Sequence, residues 1–175
     1  MRKCGDCTLC CRLLPVRELA KGAGVRCQHQ KVGKGCTIYA SRPLSCRLWN
    51  CVWLDGEDTP LRRPDRCHVV VDSQLDYVTA LPDSGERVDI AVIQVWVDPR
   101  FPDAHRDPGL RAWLAQMGEE KGLAAMIRYN ASDGFALFPP SMTPTGEFVE
   151  NEGTGVRGPE HSFADRMTTL ARLNQ

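Results

Sequence analysis

Cys4-Gly5-Asp6-Cys7-Thr8-Leu9-Cys10-Cys11 places four thiols within eight residues of chain. Four more follow at Cys27, Cys36, Cys46 and Cys51, so eight of the nine cysteines lie in the first 51 residues. Cysteine used as a small hydrophobe is scattered through a core. Clustering at short spacing is what a metal centre requires, because thiolates must converge within about 2.3 Å of one ion. A C-x-x-C spacing turns the chain back so that two sulfurs reach one ion, and here two such spacings overlap at Cys7. Gly5 permits the tight turn between Cys4 and Cys7. The expected metal ligands are Cys4, Cys7, Cys10, Cys11, Cys27, Cys36, Cys46 and Cys51.

Adjacent residues point in different directions in regular structure, so Cys10 and Cys11 are expected to serve different ions or different corners of one cluster. Eight thiolates suit two four-sulfur tetrahedral sites, or one cluster plus a mononuclear site. Zinc is the expected cofactor, because ligands dispersed over loops and a helix are how structural zinc is enclosed. An iron–sulfur cluster is the alternative. Bacterial ferredoxins also carry C-x-x-C-x-x-C, but their next cysteine comes after three more residues and precedes proline. Here Cys11 follows Cys10 directly, so a ferredoxin fold is not implied. His29 and His68 are candidates to replace a sulfur in a mixed site. Cys67 adjoins a strand and reads as a buried cysteine outside the centre. His105 and His161 stand among charged loop residues and read as exposed.

A chain of 175 residues suffices for one domain with a real core, or for a small module plus a sheet domain. No apolar run approaches the ~20 residues that span a bilayer. Cys4 to Cys11 occupies the place of a secretory h-region, so a cytoplasmic protein without membrane attachment is expected. A reducing compartment favours metal ligation or catalysis over disulfides. Formal net charge is zero, yet residues 1–55 hold ten Arg or Lys against three Asp or Glu. A basic segment admits a nucleic-acid reading. Thiolate charge is the simpler account, with Arg12, Arg26, Arg42 and Arg47 offsetting it.

Along the chain, Pro15 reads as the start of a short helix through Val16, Leu19 and Ala20. Residues 21–35 carry Gly22, Gly24, Gly33 and Gly35 and read as the loop that delivers Cys27 and Cys36. Residues 36–40 read as extended. A second helix is expected over residues 41–54, with Ser41 as N-cap and Leu44, Leu48 and Cys51 along one face. Trp49 and Trp53 form a neighbouring stripe. Residues 55–64 read as a linker, giving a cysteine-cluster module over residues 1–58 and a sheet region over 59–175 that together form one compact unit. Strands are expected at 67–71, 77–81 and 88–97, the last apolar on both parities and therefore central. Asp107-Pro108 opens the clearest amphipathic helix, with Leu110, Trp113, Leu114 and Met117 on one face. Residues 123–129 and 135–138 form a hairpin turning at Asp133-Gly134. A short strand near Val149 and a helix over 162–173 complete the chain. The expected class is α+β: a cysteine-rich, metal-organised N-terminal module packed on a mainly antiparallel β-sheet with one well-defined amphipathic helix.

The run Cys4 to Cys11 resembles the C-x-x-C-x-x-C-C motif of the YkgJ-type cysteine-cluster family, a zinc- or iron-chelating domain. Gly35-Cys36-Thr37-Ile38-Tyr39 is similar to that family's G-x-C-x-I-Y segment, with one residue fewer between Gly35 and Cys36. Arg42-Pro43 with Cys46-Arg47 matches its R-P-x-x-C-R segment. The resemblance covers residues 4–51 and implies a metal-binding domain. A similar cluster occurs in a flagellin lysine methylase, although this chain is shorter and shows no matching catalytic segment. Cys67 and the sheet lie outside the resemblance.

Other catalytic signatures are absent: there is no G-x-S-x-G, H-E-x-x-H, P-loop or G-x-G-x-x-G. Three functions therefore stand. The first is a metal-binding protein whose zinc centre is structural or handles metal, with the sheet region contacting a protein partner. The second is an iron–sulfur protein with redox or methyl-transfer-like activity. The third is a zinc-dependent nucleic-acid module, the weakest of the three.

Overall fold

A computed structural model describes residues 2–56, 59–80 and 85–151. Its centre is a five-stranded mixed sheet in the order β3-β4-β5-β6-β7. The strands are β3 (Val69–Ala80), β4 (Val88–Val97), β5 (Ala124–Arg128), β6 (Gly134–Phe138) and β7 (Val149–Asn151). Three neighbouring pairs are antiparallel; β4 and β5 run parallel. A parallel pair needs a long crossover. Helix α5 (Pro108–Lys121) provides it, capped by the Asp107 carboxylate, which accepts from the Leu110 N–H at 3.1 Å.

Alternation along β3 and β4 gives the sheet two different faces. Val69, Val71, Ile93, Val95 and Val97 meet Leu110, Trp113, Leu114 and Met117 of α5 in the main core. Val70 and Trp96 point the other way and pack with Leu9, Leu13, Cys7 and Cys51. The N-terminal third thus packs on the Val70 and Trp96 part of the face that α5 leaves free, and Val92, Ala124, Met126 and Ala136 form a separate cluster farther along it. Strand β4 is paired on both sides and buried from Val92 onward, as its doubly apolar pattern predicts.

The N-terminal third is built from short pieces: α1 (Leu9–Leu13), β1 (Gln30–Lys31), β2 (Gly35–Cys36), α2 (Leu44–Leu48), α3 (Val52–Asp55) and α4 (Pro64–Cys67). Several expectations need correction here. The first helix carries Cys10 and Cys11 and stops before Pro15, because Leu14, which precedes the proline, is extended. Only a 3-10 turn, Arg17–Leu19, follows it. The helix expected over 41–54 is two helices. Ser41 does not cap it, since Arg42 is held extended before Pro43 and the helix begins at Leu44. Trp49 and Cys51 are extended, although no glycine or proline lies between them. Contacts with β3 explain the break: the Trp49 indole N–H donates to the Asp72 carboxylate at 2.8 Å, and the Cys51 backbone bridges to Asp72. Leu44 and Leu48 accordingly face solvent, not the core.

The strands expected at 67–71 and 77–81 are one strand, β3, with a register irregularity between Val71 and Leu75. Cys67 closes α4, and His68 takes a left-handed conformation before the strand begins. A turn is also expected at Pro82-Asp83-Ser84-Gly85 and lies largely outside the described residues, as does the helix expected over 162–173, with His161. His105 is buried at 3% exposure, contrary to expectation, in the 3-10 turn Pro102–Arg106. Its Nδ1 donates to the Pro102 carbonyl at 2.7 Å, and its ring meets Phe135 edge-on.

Asp98, 1% exposed at the end of β4, ties the two regions together. It pairs with Arg12 of α1 and with Arg100, the latter at 3.0 Å. Burial works to raise the Asp98 carboxyl, but hydrogen bonds from Arg100 and the charge of Arg12 hold it below its ordinary value. A depressed carboxylate stabilises fully above its unfolded value near 4, and that contribution is lost as pH falls through the lower folded value. Asp98→Asn is therefore expected to cost about 1–3 kcal/mol at pH 7 and to flatten the acid limb of the stability curve, as measured by urea unfolding from pH 2 to 7. A second constraint is Gly118 of α5, where a Cβ would stand 2.3 Å from Pro139 Cγ and 2.9 Å from Ser141 Oγ. Gly118→Ala is expected to lose about 1–3 kcal/mol in the same assay, by prising α5 off the segment after β6.

Candidate metal centre

Each of the eight N-terminal cysteines is placed by a different local device. Cys4 and Cys7 close a turn in which the Cys7 N–H donates to the Cys4 carbonyl at 3.1 Å, with Gly5 at φ +57°. Cys10 and Cys11 ride on α1. Cys27 follows the glycine loop, and its N–H donates to the Cys11 carbonyl at 2.9 Å. Cys36 is on β2, opposite Gln30 of β1. That hairpin sits directly on the first turn: a Cβ at Gly35 would stand 2.3 Å from the Gly5 carbonyl oxygen. Gln30 also donates to the Thr8 hydroxyl at 2.6 Å. Cys46 lies on α2, whose start is held by Glu18 through the Ser45 N–H and hydroxyl at 3.0 and 2.8 Å. Cys51 is fixed by its bridge to β3.

All eight line a single cavity of about 150 Å³. Its walls also include apolar residues such as Leu14 and Ile38, the side chains of Trp49, Trp53, His29 and Arg42, and Asp72, Gln94 and Trp96 on the sheet. Cys67 does not line it. Its sulfur is buried in the main core, 3.4 Å from the Arg62 carbonyl oxygen, as expected of a packing cysteine. His68 is also outside the cavity and stacks on Phe101 at 3.6 Å between centroids. His29 is at the wall, with its Nε2 3.2 Å from the Gln28 amide.

The thiols are electrostatically unequal. The Cys10 S–H donates to the Cys11 sulfur, which raises Cys10 well above its ordinary value and lowers Cys11 to about 7. Lys21 and Arg42 lower Cys11 further. Burial pushes Cys4 and Cys51 up to about 11, and the neighbouring thiols Cys7, Cys11 and Cys51 add to the effect at Cys4. Burial likewise raises Cys7 and Cys46.

Lys21 is the cation that the sequence did not single out. It is 7% exposed and donates to the carbonyls of Leu14 and Gly22, the latter at 3.2 Å. Burial lowers its ammonium, opposed by the thiols of Cys27, Cys11, Cys10 and Cys46. Of the four arginines expected to offset thiolate charge, Arg42 reaches the cavity, while Arg12 is drawn to Asp98 and Arg26 to the Gln30 carbonyl. The sheet wall was also unforeseen. Gln94 interrupts the apolar run of β4, a visible anomaly in the sequence. Its Oε1 and the Trp96 Nε1 are buried without a hydrogen-bond partner among the described residues, a condition that costs about 1–3 kcal/mol each.

The donor set fits a thiophilic metal, and the cavity exceeds the space of a single ion. As it stands, however, no group of three or more His, Cys, Asp or Glu side chains among the described residues is arranged to hold a metal ion. The thiols surround the cavity without closing on a common point. Loading would require them to lose protons and draw inward, as is general for sites that form with their metal. No family model, curated protein or solved structure matches the chain. No helix among the described residues is long and apolar enough to cross a membrane.

In metal-free protein Cys11 is the thiol expected to react first with iodoacetamide. Its labelling rate should rise with pH through about 7, whereas Cys4 and Cys51 should require pH nearer 11. Site-resolved mass spectrometry at short times checks the order.

Proposed function

We propose that the protein is a metal-binding protein that holds zinc, more than one ion, through its eight N-terminal cysteines, in a structural or metal-handling role. One observation carries the reading: every cysteine of the first 51 residues lines one cavity, and the ninth, Cys67, does not. Chance packing would not sort thiols in this way. The resemblance of residues 4–51 to the YkgJ-type cluster supports the same conclusion. Two further features favour a loaded centre. Lys21 is buried within electrostatic reach of four of the thiols, and a buried ammonium is stabilised by negative charge nearby. The module has few long elements and lacks a large apolar core of its own, so metal binding would supply folding free energy.

The large cavity is also compatible with an iron–sulfur cluster held by the same sulfurs, and elemental analysis separates the two. Anaerobically purified protein is expected to be colourless, with about two zinc ions per chain and no inorganic sulfide. Brown protein containing iron and sulfide would replace zinc by a cluster, and protein free of metal would reject both. Cys7→Ser is expected to expose the N-terminal third to protease while the residues around α5 stay protected; native-like resistance would count against a folding role for the metal.

A further inference from the structure

We propose that the centre consists of two four-sulfur sites of unequal lability that meet at the Cys10–Cys11 step, a sheet-side set that retains its ion and a loop-side set that exchanges it. The inference rests on the metal reading above and goes beyond it by dividing the ligands and giving the halves different tasks.

The sheet-side set is Cys4, Cys7, Cys10 and Cys51. Cys7 and Cys51 are buried in one apolar cluster with Leu9, Leu13, Val70 and Trp96, and Cys10 packs against it. Cys51 is bridged through its backbone to β3, and Cys4 is tied to Cys7 by their shared turn. Releasing an ion from this set means separating the module from the sheet.

The loop-side set is Cys11, Cys27, Cys36 and Cys46. Cys27 is joined to Cys11 through a backbone hydrogen bond. Cys46 comes from α2, a five-residue helix with no buried residue, and Cys36 from a hairpin with two residues per strand that rests on the first turn. A helix with so little buried surface opens locally at low cost, so the set yields first at Cys46. The buried lysine acts on this side: Lys21 lies within electrostatic reach of Cys11, Cys27 and Cys46, with Cys10 at the boundary, while Arg42 on the cavity wall reaches Cys4 as well as Cys11. Four thiolates around a divalent ion leave a net charge of −2, which Lys21 partly neutralises. This arrangement suits an exchangeable zinc site next to a permanent one.

The test uses the full chain, loaded anaerobically with zinc and then mixed with excess EDTA. Zinc remaining on the protein is measured over time. Two phases of equal amplitude are expected, separated by about tenfold or more in rate because opening free energies differ widely across one fold. Cys46→Ser should abolish the fast phase, leave half the zinc and keep the far-ultraviolet circular dichroism of the parent. Lys21→Met should change the rate of the fast phase alone. Should Cys46→Ser fail to fold, Lys21→Met carries the test. Release in a single phase, loss of all zinc from a folded Cys46→Ser chain, or equal effects of Lys21→Met on both phases would overturn the division while leaving zinc binding intact. A single iron–sulfur cluster bridging both sets would overturn it too. A chain that takes up no metal would instead remove the reading on which it rests.

Discussion

Eight sulfur atoms around one cavity coexist easily only while most of them keep their protons. Every additional thiolate is repelled by those already present and is taken out of water as well, which is why neighbouring sulfurs and burial together raise Cys4, Cys10 and Cys51, while burial raises Cys7. The architecture of the N-terminal third follows from that difficulty. Its helices are short and its strands have two residues, because the backbone bends repeatedly to bring distant cysteines to the same place. One thiol is eased toward ionisation in this arrangement: a hydrogen bond from Cys10 and the nearby cations Lys21 and Arg42 lower Cys11 to about 7. Deprotonation thus has a starting point within the site.

The sheet supplies what the cysteine segment lacks. Its α5 face forms an ordinary core of valine, leucine and aromatic side chains. Its other face combines Val70 and Trp96 with the polar Asp72 and Gln94 where it borders the cavity. Asp72 does double duty there. It receives the Trp49 indole and bridges to Cys51, so the edge of β3 determines where the second half of the cysteine segment runs. The Asp98 pairing with Arg12 acts in the same sense from the far end of β4.

Legibility from the sequence depended on how local the cause was. The eight sulfurs could be grouped from spacing alone, and α5 from its cap, proline and apolar stripe, because those signals lie within a few residues. Strand β4 was equally clear. What failed were the elements whose geometry is imposed from outside. Residues 41–54 have a helical pattern, yet Asp72, more than twenty positions away, breaks the helix at Trp49 and Cys51. His105 stands among charged neighbours, yet its ring is covered by Tyr129 and Phe135 after the chain folds. Lys21 had no signal at all: a lysine in a glycine-rich loop gives no hint of burial. The parallel pairing of β4 with β5 could have been inferred from the helix between them, whereas the wall residues Gln94 and Asp72 announced themselves only as polar breaks in apolar runs.

The contact between Gly35 and the Gly5 carbonyl has a wider meaning. Main chain lies on main chain, thirty positions apart, with no side chain between to act as an adjustable spacer. The spacing between the backbone of the first turn and that of the strand carrying the sixth cysteine is consequently set by main chain alone, like the fixed jaw of a calliper against which the sulfurs are adjusted.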